Sequence, residues 1–193
     1  MNSFTCAFTG HRPQKLPWGY READPRCIAL KKTLAARIAE LAHAGYTDFL
    51  SGMAEGTDTW AALAVLALKK ETPALKLRCI LPCEGQADKW PASARELYFS
   101  ILARADEVVY VARKYSSGCM LKRNRYLVDH AHCLLAVYNG EYRGGTVCSK
   151  NRQKGDRAGS YWLIQSIFWA VLPKAPYRNS IRCSPAFTRA LAP

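Results

Sequence analysis

The sequence contains no long run of apolar residues. No stretch approaches the roughly 20 apolar residues that a helix needs to span a bilayer. Residues 1–6 have neither a basic segment nor an apolar core, so they do not resemble a secretory signal peptide. These absences predict a protein that does not associate with a membrane and that is located in the cytoplasm.

The cysteine spacing of a zinc site is also missing. The chain has eight cysteines and four histidines, but no Cys-x2-Cys pair, and the nearest cysteines, Cys79 and Cys83, are separated by three residues. Cysteines of cytoplasmic proteins remain reduced. We therefore expect buried thiols that act as small apolar side chains, and no metal.

Acidic residues are scarce relative to basic ones, and the formal net charge is +13. Residues 141–193 hold nine Lys/Arg and two Asp/Glu, whereas residues 1–140 hold 19 and 13. A basic segment of this kind is typical of nucleic-acid binding, which the composition leaves open. The length of 193 residues and the 49% of hydrophobic residues predict one globular domain.

Strand and helix patterns alternate through the first part of the chain. A first helix is predicted to begin at Asp24-Pro25 and to stop before Gly45. Asp is a favourable N-cap residue, and Pro is favourable at the first helical position. The other predicted helices are residues 56–71, 92–105 and 120–131, and the predicted strands are residues 4–9, 46–50, 75–81, 108–111 and 133–138. This alternation predicts an α/β fold with a parallel sheet covered on both faces.

Several predicted strands are followed directly by residues suited to binding an anion. Gly10 allows close approach to the backbone, and Arg12 offers a planar fork of donors to phosphate or carboxylate. Residues 51–58 open a helix, whose N-terminus favours an anion, and Asp58 is suited to ribose hydroxyls. Gly144-Gly145-Thr146 is suited to phosphate. The structural alternatives are a solvated arginine and an aspartate that only favours its helix.

Two further segments carry polar and aromatic candidates. Trp90 is suited to stacking on a base and Gln86 to reading its edge, and the alternative for Trp90, which its position slightly favours, is packing on the third helix. Arg123 and Asn124 lie near the start of a basic helix and are suited to closing over a phosphate or ribose. The alternative there is a surface helix with an internal ion pair.

Taken together and in this order, the motifs of residues 4–147 resemble the SLOG superfamily, nearest to its YpsA/YspA-like branch. The superfamily joins the DNA-processing protein DprA/Smf to the LOG phosphoribohydrolases. The resemblance implies a Rossmann-like, three-layer fold that binds a nucleotide-derived ligand similar to NAD or ADP-ribose, as a sensor or regulator. We therefore predict ligand contacts at Thr9, Gly10, His11, Arg12, Ser51, Gly52, Gly56, Asp58, Gln86, Trp90, Arg123, Asn124, Gly144, Gly145 and Thr146.

The same resemblance implies two alternative functions. LOG enzymes cleave nucleoside monophosphates to free base and ribose 5-phosphate, with a glutamate at the position that Ser149 occupies here. That substitution argues against hydrolysis. The DNA-processing relatives share the stretch at residues 51–58 and bind single-stranded DNA, which makes DNA the other alternative partner.

The family pattern stops after Thr146. Residues 1–155 are predicted as the domain, and residues 156–193 as an atypical tail that is basic and aromatic. A shift of reading frame near residues 144–146 is one explanation. The other is a genuine segment in which residues 161–172 form an apolar helix or strand for self-association into a homo-oligomer.

Overall fold

The computed structural model of the protein describes residues 4–137 and 160–164. Strands and helices alternate through these residues, as the periodicity predicts. The strands are β1 (Phe4–Gly10), β2 (Tyr46–Ser51), β3 (Lys76–Leu81), β4 (Glu107–Tyr110), β5 (Cys133–Val137) and β6 (Ser160–Ile164). The helices are α1 (Pro25–His43), α2 (Thr57–Leu68), α3 (Ala92–Leu102) and α4 (Cys119–Asp129), and a 3-10 turn covers Pro13–Lys15.

The six strands form one parallel sheet in the order β4-β3-β2-β1-β5-β6. The chain moves outward from β1 to β4, and α4 then returns it to the other side of β1. The order therefore reverses between β1 and β5. In open parallel sheets, a crevice for ligands forms at the carboxyl ends of the strands where this reversal occurs.

Helices cover both faces of the sheet, which confirms the three-layer α/β fold. Side chains alternate along β1, so Phe8 points to the face covered by α1, α2 and α3, while Ala7 points to the face covered by α4. On the first face the rings of Phe8 and Phe49 stack with centroids 5.9 Å apart. On the second face, Leu127 of α4 packs in the same cluster as Ala7 and Leu50.

Helix α1 begins where the sequence predicts. Asp24 accepts a hydrogen bond at 2.9 Å from the backbone N–H of Arg26, and Pro25 takes the first helical position. The Arg26 side chain and backbone N–H lower the pKa of the Asp24 carboxyl to about 2. The cap is therefore a charged acceptor throughout the neutral range.

Replacing Asp24 by alanine is expected to lower the Tm by about 2–4 °C, because the first turn of α1 loses its cap. Asp24→Asn keeps an acceptor and should lose less. Since the pKa is depressed in the folded protein, the contribution of the charge is present above the ordinary carboxyl pKa and is lost as the pH falls toward 2. Thermal melts at pH 7 and pH 3 measure it, and an Asp24→Ala variant with an unchanged Tm at pH 7 would contradict it.

Strand β6 lies in the segment that the sequence predicts as an atypical tail. It pairs in parallel with β5, from Cys133 opposite Ser160 to Val137 opposite Ile164. The tail therefore contributes a strand at one side of the sheet. The predicted domain boundary at residue 155 lies outside the described residues and stays a prediction.

The cysteines of the described residues are buried in the core, and none of them forms a disulfide. Burial raises the pKa of the Cys79 thiol to about 12, which is typical of an unreactive core side chain. Among residues 4–137 and 160–164, no three His, Cys, Asp or Glu side chains are grouped closely enough to hold a metal ion. No helix in this part of the chain has the length and hydropathy needed to cross a membrane.

Candidate functional site

A cavity of about 410 Å³ opens at the carboxyl end of β1, beside the point where the strand order reverses. Its walls are the end of β1 with the following turn, the start of α2 and one side of α4. Its volume lies in the range of about 300–1,000 Å³ that is usual for small-molecule sites. The described residues that line it are Phe8, Thr9, Gly10, His11, Arg12, Gln14, Lys15, Ala54, Asp58, Met120, Arg123, Asn124 and Leu127.

Helix α4 lines the cavity with a single face. Met120, Arg123, Asn124 and Leu127 are spaced by three or four residues, so they lie on one side of the helix. Leu127 is also buried against the sheet. The packing that anchors α4 therefore also directs Arg123 and Asn124 toward the end of β1.

The turn after β1 packs tightly on the start of α2. A Cβ atom at Gly10 would lie 2.5 Å from the Thr57 side chain, whose hydroxyl donates to the carbonyl oxygen of His11 at 3.2 Å. Gly56 has a φ of +90°, and a Cβ there would lie 2.9 Å from Pro13. Both glycines are thus needed for contact between two chain segments.

The turn after β2 is braced by side chains. Met53 is buried and has a φ of +54°, an uncommon conformation for a residue other than glycine. The Ser51 hydroxyl accepts from the Met53 N–H at 3.1 Å and donates to the Asp58 carbonyl at 3.0 Å. The Gln86 amide donates to the carbonyl oxygens of Met53 and Gly52 at 2.7 and 3.2 Å. Ser51 and Gln86 therefore hold this turn in place.

Asp58 and Arg123 form a buried ion pair at the back of the cavity. Arg123 Nη1 lies 3.4 Å from Asp58 Oδ2, and the two residues are 6% and 5% exposed. The Ala54 N–H also donates to Asp58 Oδ2, at 3.3 Å. Arg123 Nε is buried and has no hydrogen-bond partner among the described residues. The guanidinium lies over Gly52, where a Cβ atom would be 1.2 Å from Nη1.

The ionisation of Asp58 depends on its neighbours. Burial raises the pKa of the carboxyl above its ordinary value, and the Arg123 guanidinium, the Ala54 N–H and the more distant Arg12 oppose this shift. Any change that moves Arg123 or Arg12 away from the Asp58 carboxyl will therefore raise its pKa further and favour its protonated form.

The cavity carries an excess of positive charge. Arg12, Lys15 and Arg123 line it, and Asp58 is the one carboxylate among its described lining residues. Lys15 is not among the residues predicted from the motifs, although a basic side chain three residues after Arg12 in a proline-initiated turn is a usable signal. Its backbone N–H donates to the Arg12 carbonyl at 2.9 Å, so the 3-10 turn brings both cations to the same wall. This arrangement is suited to an anionic ligand.

The predicted site residues fall into four groups. Trp90 packs edge-on against Tyr98 of α3, with ring centroids 5.3 Å apart, and does not line the cavity. This is the packing on the third helix given above as the alternative to base stacking. Residues 144–146 lie outside the described part of the chain. Those that brace the walls without lining the cavity are Ser51, Gly52, Gly56 and Gln86. Those that line it are Thr9, Gly10, His11, Arg12, Asp58, Arg123 and Asn124.

A parallel α/β sheet with helices on both faces and a reversal of strand order defines a Rossmann-like domain, and the cationic cavity lies where that class usually binds its ligands. The sequence model of the YspA SLOG family (YpsA) matches residues 6–167. The chain belongs to this family.

Similar proteins occur in bacilli. A UPF0398 protein of Bacillus pumilus (strain SAFR-032) is 35% identical over 140 residues, which is 72% of this chain and 75% of the relative. A UPF0398 protein of Bacillus cereus (strain ATCC 14579) is 28% identical over 180 residues, which is 90% of this chain and 97% of the relative. The similarity thus extends over most of both chains.

Two solved structures of DNA processing protein A share the fold. The protein from Helicobacter pylori, studied for its single-stranded DNA binding mode, superposes with a TM-score of 0.56 at 18% identity. The one from Streptococcus pneumoniae gives 0.53 at 14% identity. Each match covers 83% of this chain, but this chain spans only 64% and 50% of the two larger chains. The likeness is one of fold.

Proposed function

We propose that the protein binds a nucleotide-derived small molecule, of the NAD or ADP-ribose class, and acts as a sensor or regulator. The observation that carries this proposal is the cavity of about 410 Å³ lined by three cationic side chains at the carboxyl end of β1. Nucleotides combine charged phosphates with an aromatic base. In the cavity, the basic side chains of the turn after β1 are suited to the phosphates, and the apolar part of the α4 face is suited to the base.

Each wall of the cavity has a distinct role in this proposal. Arg12 offers a bidentate fork to a phosphate, and Lys15 adds a point charge beside it. The backbone at Gly10 allows close approach, and the amide of Asn124 would contact a ribose or base. The half-buried Met120 supplies an apolar surface for the base.

The test is a titration of the full chain with AMP, ADP-ribose and NAD, followed by thermal shift and calorimetry. A ligand at 100 times its Kd stabilises the native state by about 2.7 kcal/mol, which raises the Tm. Arg12→Ala should weaken binding by about 10–100-fold, because a charge-assisted hydrogen bond is lost. Arg95→Ala removes an exposed arginine of α3, outside the cavity, and is the matched control.

Three results would change the proposal. Absence of a shift with all three nucleotides would contradict it. An Arg12→Ala variant with undiminished affinity would remove the assignment of that residue. Release of free adenine from AMP would instead indicate the alternative function given above, hydrolysis of nucleoside monophosphates.

Single-stranded DNA is the second candidate ligand. It is favoured by the fold shared with the Helicobacter pylori protein and by the net charge of +13. DNA binding would weaken by about 10³–10⁵-fold between 50 and 200 mM salt if six to ten phosphates were contacted. Fluorescence anisotropy of a labelled oligothymidylate at several salt concentrations, with ADP-ribose as competitor, separates the two candidates.

A further inference from the structure

The buried Asp58–Arg123 pair makes fewer contacts than its chemistry allows. The guanidinium nitrogen Nη1 lies 3.4 Å from the Asp58 carboxylate, whereas a charge-assisted hydrogen bond is usually about 2.7–2.9 Å. Arg123 Nε has no partner among the described residues, although the residue is more than nine-tenths buried. Burial of two charges is offset only by good geometry and further hydrogen bonds. The guanidinium therefore has hydrogen-bonding capacity that Asp58 does not use.

Both members of the pair line the cavity that the proposed function assigns to an anion. A ligand phosphate placed there is attracted to Arg123 and repelled by the carboxylate of Asp58. Two negative groups that share one partly desolvated site favour protonation of the weaker acid. The ligand phosphate and the Asp58 carboxylate thus compete for the same guanidinium.

We propose that an anionic ligand displaces Asp58 as the partner of Arg123, and that Asp58 takes up one proton from solvent as the ligand binds. Arg123 keeps its charge throughout, and the carboxylate becomes a neutral carboxylic acid that still accepts from the Ala54 N–H. The inference rests on the proposed function. In it, Asp58 is a positioning residue that controls Arg123, in place of the ribose contact expected from the sequence.

The charged and titratable groups around Asp58 come from two segments. Arg123 faces it from α4, and Arg12 acts on it from the turn after β1. His11 and Lys15 line the same cavity from that turn. His11 carries the imidazole among these side chains and therefore requires its own control. Burial already raises the pKa of Asp58 in the free protein, which brings its titration closer to neutral pH.

ADP-ribose is the probe of choice, because its pyrophosphate is esterified on both sides and does not titrate near neutral pH. Calorimetry at a single pH in Pipes, Hepes and Tris, whose ionisation enthalpies differ, counts the protons exchanged on binding. We expect an uptake that approaches one proton per ligand between the pKa of Asp58 in the free protein and its higher pKa in the complex. The affinity should then fall by up to about tenfold per pH unit.

Asp58→Asn gives a result that a ribose contact would not. The amide keeps an acceptor for the Ala54 N–H but does not compete with charge for Arg123, so we expect no proton uptake at this site and tighter binding than in the unaltered protein at pH 8. If Asp58 held a ribose hydroxyl, the same variant would bind more weakly. His11→Gln should retain the proton uptake.

The outcomes separate this inference from the proposed function. Failure of AMP, ADP-ribose and NAD alike to bind at any pH would overturn both. Binding of ADP-ribose without proton uptake, or with an uptake that disappears in His11→Gln and persists in Asp58→Asn, would overturn the inference alone. The calorimetry of the unaltered protein decides the point even if Asp58→Asn does not fold.

Discussion

Replacing Arg123 by methionine is expected to lower the free energy of unfolding by about 3–5 kcal/mol. Methionine keeps much of the apolar volume of the side chain but leaves Asp58 buried, at 5% exposure, without its neighbouring cation. The loss arises from the unpaired carboxylate more than from the contact itself, whose length of 3.4 Å indicates a modest attraction. Urea denaturation at pH 8 measures the change.

This loss should depend on pH with a definite sign. Burial raises the pKa of Asp58 in the folded protein, and removing Arg123 takes away the largest opposing influence. For an acid whose folded pKa exceeds its unfolded pKa, stability falls as the pH rises through the interval between the two values. The deficit of Arg123→Met should therefore be smaller at pH 5 than at pH 8.

The same helix offers a matched control. Arg125 pairs with Asp129 at 3.2 Å, but the two side chains are 68% and 52% exposed. Arg125→Met should cost about 0–1 kcal/mol, since solvent replaces the lost partner. The double variant Asp58→Asn/Arg123→Met removes the buried charge and should recover much of the stability. Equal losses for Arg123→Met and Arg125→Met would contradict the buried-pair explanation.

The secondary structure and the class of fold could be predicted from local sequence signals. Asp24 with Pro25 defines the start of α1, and Gly45, with a φ of +91°, lies just after its end. The order of the strands could not be read in this way, because β1 and β5 are adjacent in the sheet but far apart in the chain. Strand β6 lacked the family's motifs, so the sequence left it open whether its segment was a helix or a strand.

The location of the candidate site was also predictable, whereas several side-chain roles were not. Parallel topology brings strand ends to one edge, so Arg12 and Asp58 could be expected to lie near each other. The partners of individual side chains depend on contacts across long stretches of sequence. Arg123 reaches Asp58 from 65 residues away, and Gln86 reaches the Met53 carbonyl from 33 residues away. Residue type alone could therefore not show the internal contacts that these side chains make.

These internal contacts connect the turn after β2 to helix α4. Gly52 leaves space for the guanidinium of Arg123, Asp58 holds that guanidinium, and Gln86 holds the carbonyl of Gly52. A displacement of any one of these four residues is therefore expected to shift the other three. The stretch at residues 51–58 that resembles other family members can be understood as the support for Arg123.

Replacing Gly52 by alanine tests this connection and is expected to cost about 3–5 kcal/mol, nearly as much as removing the arginine. The added Cβ atom would lie 1.2 Å from Arg123 Nη1, so the guanidinium must leave Asp58. In the Arg123→Met background the same change should cost less than about 1 kcal/mol, because the obstructing group is absent and the two effects are strongly coupled. Urea denaturation of the four proteins of this double-mutant cycle gives the coupling energy. Additive losses would show that alanine at position 52 acts through the backbone, and the proposed role of Gly52 would then have to be abandoned.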